Sequence, residues 1–499
     1  MKEIRKLAGQ TAVYGLGTII PRLLNYLLLT PFYTRIFEQH EYGVITELYA
    51  YLAFFLVLLT YGMETTYFRF AESEKKPDKV YSTSVISLLS TTTLFLLIIG
   101  LFNQPVADSI QYSSHKEYIL WLALIIGMDA FSAIPFARLR RQNKAFRFAA
   151  IKLVNITVNI GLNYFFLSLC PKLYDTSSFI QSVYDPEMGV GYAFIANLVA
   201  SGITLLLLIP ELVGVKFQMD FKLWRKMIIY ALPLLVVGLA GMFNEVADKI
   251  LLKYLIVLPE GSAESSKLAM DEVGVYGANY KLGVLMTIFI QMFRYAAEPF
   301  FFEQANKPDA KKIYADVMKY FIIFGLIIFL GVIHFIDIAK YFIGADFREG
   351  LGIVPIILLA NLFQGIFYNL SVWYKLNNIT KYGAYIALTG SLVTLLVNLI
   401  AVPVIGYYGS AWGHILCYFS MIVFSYLLGR KFFPVNYPLK SIGAYFLLAM
   451  LLFLTSYLFD DFTFNLRISL NAGLFCIFIG IVFYFEKPLR FFTGSGKKQ

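Results

Sequence analysis

Apolar residues along this chain come in blocks of about 20, separated by short polar patches, and a helix of that length crosses about 30 Å of hydrocarbon. The blocks lie near 10–33, 42–63, 83–102, 118–137, 148–170, 189–210, 227–256, 273–296, 316–336, 352–373, 382–403, 408–428, 440–459 and 467–485. They are too long and too uniformly apolar for barrel strands, which leaves helices to satisfy the backbone in lipid. The expected fold class is an all-α polytopic membrane protein with about 14 transmembrane helices. The basic N-terminus runs straight into the first block. It has neither the short apolar core nor the small-residue cleavage site of a signal peptide, so that helix is expected to be retained.

A weak internal repeat organises the blocks. "EYGVITELYAYLAFF" begins at Glu41 and "EVGVYGANYKLGVLM" at Glu272, and the same offset brings "RFAE" (69–72) onto "FFFE" (300–303). Each segment starts in a loop, runs through an even-numbered span and ends near a Lys-Pro-Asp. Matching polarity predicts a parallel repeat about an axis along the membrane normal, with a substrate path between rocking lobes. The expected domains are therefore a six-helix lobe at 1–215, a second at 216–433, and two additional helices with a basic tail at 434–499.

Composition agrees with the pattern. Hydrophobic residues make up 59% of the chain and charged ones only 15%, with a mean hydropathy of +0.67; a soluble domain carries about 25% charged residues. The net charge of +10 could suggest a nucleic-acid partner. Its placement argues otherwise: "RFAESEKKPDK", "RLRRQNKAFR", "KFQMDFKLWRK", "KPDAKK", "RKFF" and the tail "GSGKKQ" all fall on one side if the N-terminus is cytoplasmic. The positive-inside rule then puts both termini in the cytoplasm and makes the span number even, with attraction to anionic lipid as a secondary effect. The loops are short and hold no soluble domain or Gly-rich phosphate loop, which excludes an ATPase within this chain. Cys170, Cys417 and Cys476 lack metal-ligand spacing, and no HExxH, GxSxG or Cys/His arrangement is present. No catalytic residue, metal or cofactor is expected.

Polar groups inside spans are the candidate functional residues, because hydrocarbon penalises them unless they face the bundle interior or a water-filled path. In the first span, Thr11, Tyr14, Thr18, Arg22 and Asn25 recur at helical spacing, and Arg22 is too central to snorkel. Pro21 beside it should bend the helix. Arg22 could line a cavity or pair with a buried carboxylate such as Glu47 or Asp129. In the fifth span, Lys152, Asn155, Asn159 and Asn163 form a second stripe, readable as a hydrogen-bonding path or as interhelical glue. Lys281 adds a cation from the eighth span, while Arg294 lies near that span's end, where snorkelling explains it. Glu245 and Lys249 stand as an intrahelical pair, with Asp248 outside it, open to a cation from elsewhere. Glu47, Asp129 and Asp248 are the candidate coupling acids for H+ or Na+. The lone His414 reads as hydrogen-bonded packing.

Three stretches carry a family resemblance: "TAVYGLGTIIPRLLNYLLLTPFYTRIFEQHEYGVITELYAY", "DAFSAIPFARLRRQNKAFRFA" and "YALPLLVVGLAGMFNEVADKILL". The chain resembles the bacterial polysaccharide exporters, or repeat-unit flippases, of the multidrug/oligosaccharidyl-lipid/polysaccharide exporter superfamily. The resemblance implies flipping of a polyprenyl-diphosphate-linked oligosaccharide, such as an O-antigen repeat unit of lipopolysaccharide biosynthesis, from the cytoplasmic to the outer leaflet of the bacterial inner membrane. It implies membrane lipids and glycan-assembly enzymes as partners. Arg22 matches the first-helix arginine expected to meet the diphosphate, and the last two helices resemble a pair that helps form a lipid-tail groove. Arg22, Asn25, Lys152, Asn155, Asn159 and Lys281 would line the path. The competing readings are an ion-coupled multidrug exporter of the same superfamily, whose cavity would favour acids, and a membrane-embedded polysaccharide polymerase or ligase, which would need a larger outer loop.

Overall fold

The computed structural model describes residues 2–74, 76–213, 216, 218–256, 263–305, 307–377 and 379–486, and the basic tail from 487 lies outside them. The described residues form helices and no strand. The long helices are α1 (Lys2–Ile36), α2 (Gln39–Thr60), α3 (Pro77–Leu101), α4 (Lys116–Arg141), α5 (Ala145–Tyr164), α6 (Gly191–Leu208), α7 (Phe221–Leu255), α8 (Ala263–Leu282) and α9 (Val284–Gln304). They continue with α10 (Ala310–His334), α11 (Val354–Leu370), α12 (Lys381–Ile405), α13 (Tyr407–Phe432), α14 (Leu439–Ser456) and α15 (Phe464–Glu486). Twelve helices among the described residues are long and apolar enough to span a membrane, and α8 with α9 make a thirteenth if read as one broken span. The first expected span falls within α1, which runs unbroken through Pro21 and Pro31. Long apolar side chains stand exposed along these helices, among them Leu97, Leu101, Ile400, Val404 and Leu447. Such an outer surface suits lipid rather than water.

Local sequence sets several helix ends. Glu38 and Glu41 form a reciprocal capping box at the start of α2, with the Glu38 amide donating to Glu41 Oε2 at 2.8 Å. Asp220 caps α7 by accepting from the amides of Lys222 and Leu223 at 3.1 and 3.0 Å. A single glycine, Gly406 at φ +57°, turns the chain between α12 and α13, a conformation that a side chain would strain.

Contacts divide the chain into two compact units, 1–277 with 394–410, and 278–393 with 411–499. These units follow packing; the lobes at 1–215 and 216–433 concern the repeat, a separate property. In the first unit, Tyr61, Met63, Tyr67, Tyr81, Leu88, Ile134 and Met227 form a buried core. The basic run after α4 folds onto one buried acid: Lys144 and Arg147 reach Glu211 Oε1 at 3.6 and 3.0 Å, and Arg138 stacks over Tyr81 at 4.4 Å.

The repeat has a geometric counterpart inside this first unit. A Cβ on Gly43 would collide with the backbone of Met270 and lie 3.3 Å from the Gly274 nitrogen. A Cβ on Gly274 would collide with Gln39 and lie 3.1 Å from the Gly43 nitrogen. Gly43 and Gly274 are the third residues of "EYG" and "EVG", so equivalent positions of the two copies meet each other. Thr46 and Gly277, again equivalent, meet in the same way.

In the second unit, α15 is fastened to α10 and its flank at both ends. Lys319 contacts Glu486 at 2.5 Å, with Tyr445 of α14 donating to the same carboxylate at 2.9 Å. At the other end Arg467 contacts Asp337 at 2.6 Å, and Lys340 meets that aspartate at 2.7 Å.

Candidate functional site

Helix α1 turns a polar face to open space. Thr18, Arg22 and Asn25, spaced by four and three residues, are all exposed, while Gly17, Pro21, Leu29 and Thr30 are buried. The side chains of Thr11 and Tyr14 lie outside the described ones. The buried face packs on α5, where a Cβ on Gly17 would stand 2.8 Å from that of Ala149. Among the described residues Arg22 makes no hydrogen bond or ion pair, and the two acids named as alternatives to a cavity role have other partners. Glu47 pairs with Lys253. Asp129 is within hydrogen-bonding reach of Ser201 and feels the charge of Lys152.

The stripe of α5 is largely spent on its neighbours. Tyr33 donates to Asn163 Oδ1 at 2.7 Å, and Asn163 Nδ2 donates to Asn159 at its backbone and side-chain oxygens, at 2.8 and 3.0 Å. The first of these ties α1 to α5, and the other two lie within α5. Asn155 donates to Thr204 Oγ1 at 2.9 Å and ties α5 to α6. The half-buried Lys152 lies over the Phe136 ring at 4.2 Å, a cation–π contact with α4. Asn163 thus bonds across helices, whereas Asn159 bonds within its own helix.

The acids are held in two networks of the first unit. Glu47 is fully buried; Tyr112 donates to Oε2 at 2.6 Å, and Lys253 Nζ sits 3.1 and 3.3 Å from its two oxygens. Lys253 also donates to the Ile110 carbonyl at 2.8 Å and lies 4.3 Å from the Tyr112 ring. One turn further along α2, Tyr51 and Tyr254 join hydroxyls at 3.2 Å. Tyr112 and Ile110 come from the loop between α3 and α4. The loop is shaped by Gln111 at φ +63°, by the Tyr112 amide on Ala107 at 2.7 Å, and by Gln104 donating to Asp108 at 2.9 Å. Sequence reasoning missed Lys253 and Tyr112. Lys253 had a signal, a charge inside an apolar span one turn after Lys249, whereas a loop tyrosine has none.

The second network centres on Asp248, also buried. Tyr276 donates to its carboxylate at 2.5 Å, and its cation is the next residue, Lys249, at 3.1 Å. Lys249 reaches Glu245 through the backbone carbonyl, at 2.9 Å.

In the second unit, half-buried Lys281 lies two residues before the break at Gly283, where Asn361 Nδ2 donates to the Gly283 carbonyl at 3.3 Å. His414 is fully buried, with Tyr280 and Tyr418 edge-on to its ring and the Tyr280 hydroxyl 3.4 Å from Nε2. That is the expected packing role. Arg294 stacks on Tyr368 at 4.9 Å.

Comparison with known proteins places this arrangement. A family model described as "Polysaccharide biosynthesis protein" matches residues 7–305. Among solved structures, "Lipid II flippase MurJ, inward closed conformation" superposes with a TM-score of 0.71 at 16% identity, over 95% of this chain and 99% of that one. The inward-facing conformation of a multidrug resistance MATE family transporter of the MOP superfamily matches with a TM-score of 0.63 at 12% identity, over 84% of this chain and 94% of that one. At these identities the likeness is one of fold. No curated protein matches in sequence.

Proposed function

The chain belongs to the polysaccharide biosynthesis protein family, and from that premise we propose that it flips a polyprenyl-diphosphate-linked oligosaccharide from the cytoplasmic to the outer leaflet. The observation that carries this reading is Arg22, exposed on the polar face of α1 and without a partner among the described residues. A guanidinium kept in that position needs an anion or water, and a diphosphate is the anion it fits best, through paired N–H donors. Asn25 on the same face supplies hydrogen bonds for the first sugar. Lys152 and Lys281 add positive charge, and Glu47, Asp129 and Asp248 are the candidate groups for H+ or Na+ coupling. In this reading the N- and C-termini are cytoplasmic, the lobes 1–215 and 216–433 alternate access, and 434–499 guides the lipid tail.

The test is to delete the gene from its bacterial host and complement it with wild-type, Arg22→Gln or Lys281→Gln chains. Lipid-linked repeat units should accumulate on the cytoplasmic leaflet in the deletion strain, and Arg22→Gln should fail to clear them. Clearance at the wild-type rate by both variants would end the proposal. The MATE-like fold keeps a second reading open, an ion-coupled multidrug exporter; drug resistance on expression, with lipid-linked glycan handling unaffected, would favour it.

A further inference from the structure

A cleft in the second unit has no part in the site above. It lies between the C-terminal half of α9 and the end of α11 with the turn that follows, and is open on one side: about 380 Å³ is unfilled, counting space shared with the surroundings, of which about 20 Å³ admits the centre of a water molecule. Phe293, Arg294, Glu298, Tyr368, Asn369 and Lys375 line it. Asn369 is 94% buried, and its Nδ2 donates to the Gly365 carbonyl at 3.1 Å while its Oδ1 accepts from nothing among the described residues. It also borders the adjoining cavity, beside Trp373 and Tyr437. An orphaned buried carbonyl oxygen has lost its water without gaining a donor, a cost that a donor on a ligand would recover. Lys375 and Glu298 neutralise each other at 2.7 Å. Arg294 has no carboxylate partner among the described residues. Stacking on Tyr368 engages only the face of its guanidinium, leaving the N–H edge for an anion. Phe293 and Tyr368 offer flat apolar surfaces of the kind that sugar rings cover.

An anion, a neighbouring hydroxyl or amide N–H, and an apolar ring face together describe one ligand chemistry. We propose that this cleft is a second binding site, for the phosphate ester of a sugar or other polyol, with Arg294 on the phosphate and Asn369 Oδ1 accepting from a hydroxyl or N–H. Two sources share that chemistry: the sugar-phosphate end of a lipid-linked glycan, and the headgroup of phosphatidylglycerol. Only the first source rests on the flippase reading.

The test uses the purified full-length chain carrying Arg22→Gln, so that α1 does not contribute. N-acetylglucosamine 1-phosphate and glycerol 1-phosphate are titrated in turn, following tryptophan fluorescence, to which Trp373 contributes, and thermal shift. Saturable binding is expected. It should weaken about tenfold with Arg294→Gln and several-fold with Asn369→Leu, recover in part with Arg294→Lys, and stay unchanged with the exposed Lys172→Gln. Thermal unfolding of each variant without ligand separates lost binding from lost folding. Repetition in phosphatidylglycerol and phosphatidylcholine nanodiscs assigns the source: competition by phosphatidylglycerol identifies bilayer lipid, and its absence identifies the glycan. The proposal is overturned if neither probe binds, or if both bind Arg294→Gln and Asn369→Leu as tightly as the parent. The flippase reading stands or falls separately, on clearance of repeat units by Arg22→Gln and Lys281→Gln.

Discussion

The ammonium of Lys253 stands 3.1 Å from the carboxylate of Glu47, with both side chains almost wholly excluded from solvent. The pair joins α2 to α7, and the loop carrying Tyr112 closes over it. Removing one member strands the other's charge, which costs about 3–5 kcal/mol when the pair is buried. Glu47→Gln and Lys253→Met should therefore each lower the unfolding midpoint steeply in detergent. Glu47→Leu combined with Lys253→Met should restore most of the loss. A double variant as unstable as the sum of the singles would show that the charges are not coupled.

The crossing of Gly43 and Gly274 leaves no room for a methyl group. Gly43→Ala or Gly274→Ala must push α2 away from α8, and overpacking of this kind destabilises by about 1–3 kcal/mol. Gly473→Ala, at a glycine with open space around it, is the control and should be silent in the same unfolding assay.

Arg22 and Asn163 should separate cleanly by readout. Arg22→Gln removes an exposed charge that has no partner among the described residues, so stability should hold while repeat-unit flipping falls about tenfold or more, as expected for a lost charge-assisted contact. Arg22→Lys should retain part of the activity. Asn163→Leu leaves the Tyr33 hydroxyl without its acceptor and should cost about 1 kcal/mol of stability, with flipping per folded molecule little changed.

Asp220 predicts a pH dependence outside the membrane. The Leu223 amide first, then the Lys79 charge and the Lys222 amide, hold its carboxyl below the usual range. A depressed folded value means a contribution present above the unfolded carboxyl's value of about 4 and lost as pH falls through the folded one. Asp220→Asn keeps a capping oxygen without a charge. Thermal unfolding should rank the wild type above it at pH 5–8, with the gap closing below about pH 4.

The spans were legible because hydrocarbon imposes a length: α6, α11, α12 and α14 all begin and end within three residues of their apolar blocks. The meeting of Gly43 and Gly274 was not legible: "EYG" and "EVG" matched as sequence, but nothing in either stretch says that the two would touch. The helix periodicity of α5 correctly put its asparagines on one face, yet could not say whether that face met water or α1. Asn163 meets Tyr33, 130 positions away in the chain, and no local pattern encodes such a partner. Lys253 lies within the apolar block 227–256, but its role depends on a loop folding back through Gln111, which the block does not encode. Arg294 lies near the end of its helix and is exposed, as snorkelling requires, but its stacking partner Tyr368 belongs to another helix and has no local signal.

The double fastening of α15 bears on how motion in this protein could be watched. An ordinary terminal helix lags or wanders relative to the body it decorates, and a reporter placed there blurs the signal. With Glu486 held by Lys319 and Arg467 held by Asp337, a spin label or fluorophore on α15 travels as a rigid handle on α10. Swapping either ion pair for neutral residues would turn that handle into a loose tether, which would broaden the distance distribution without moving its centre.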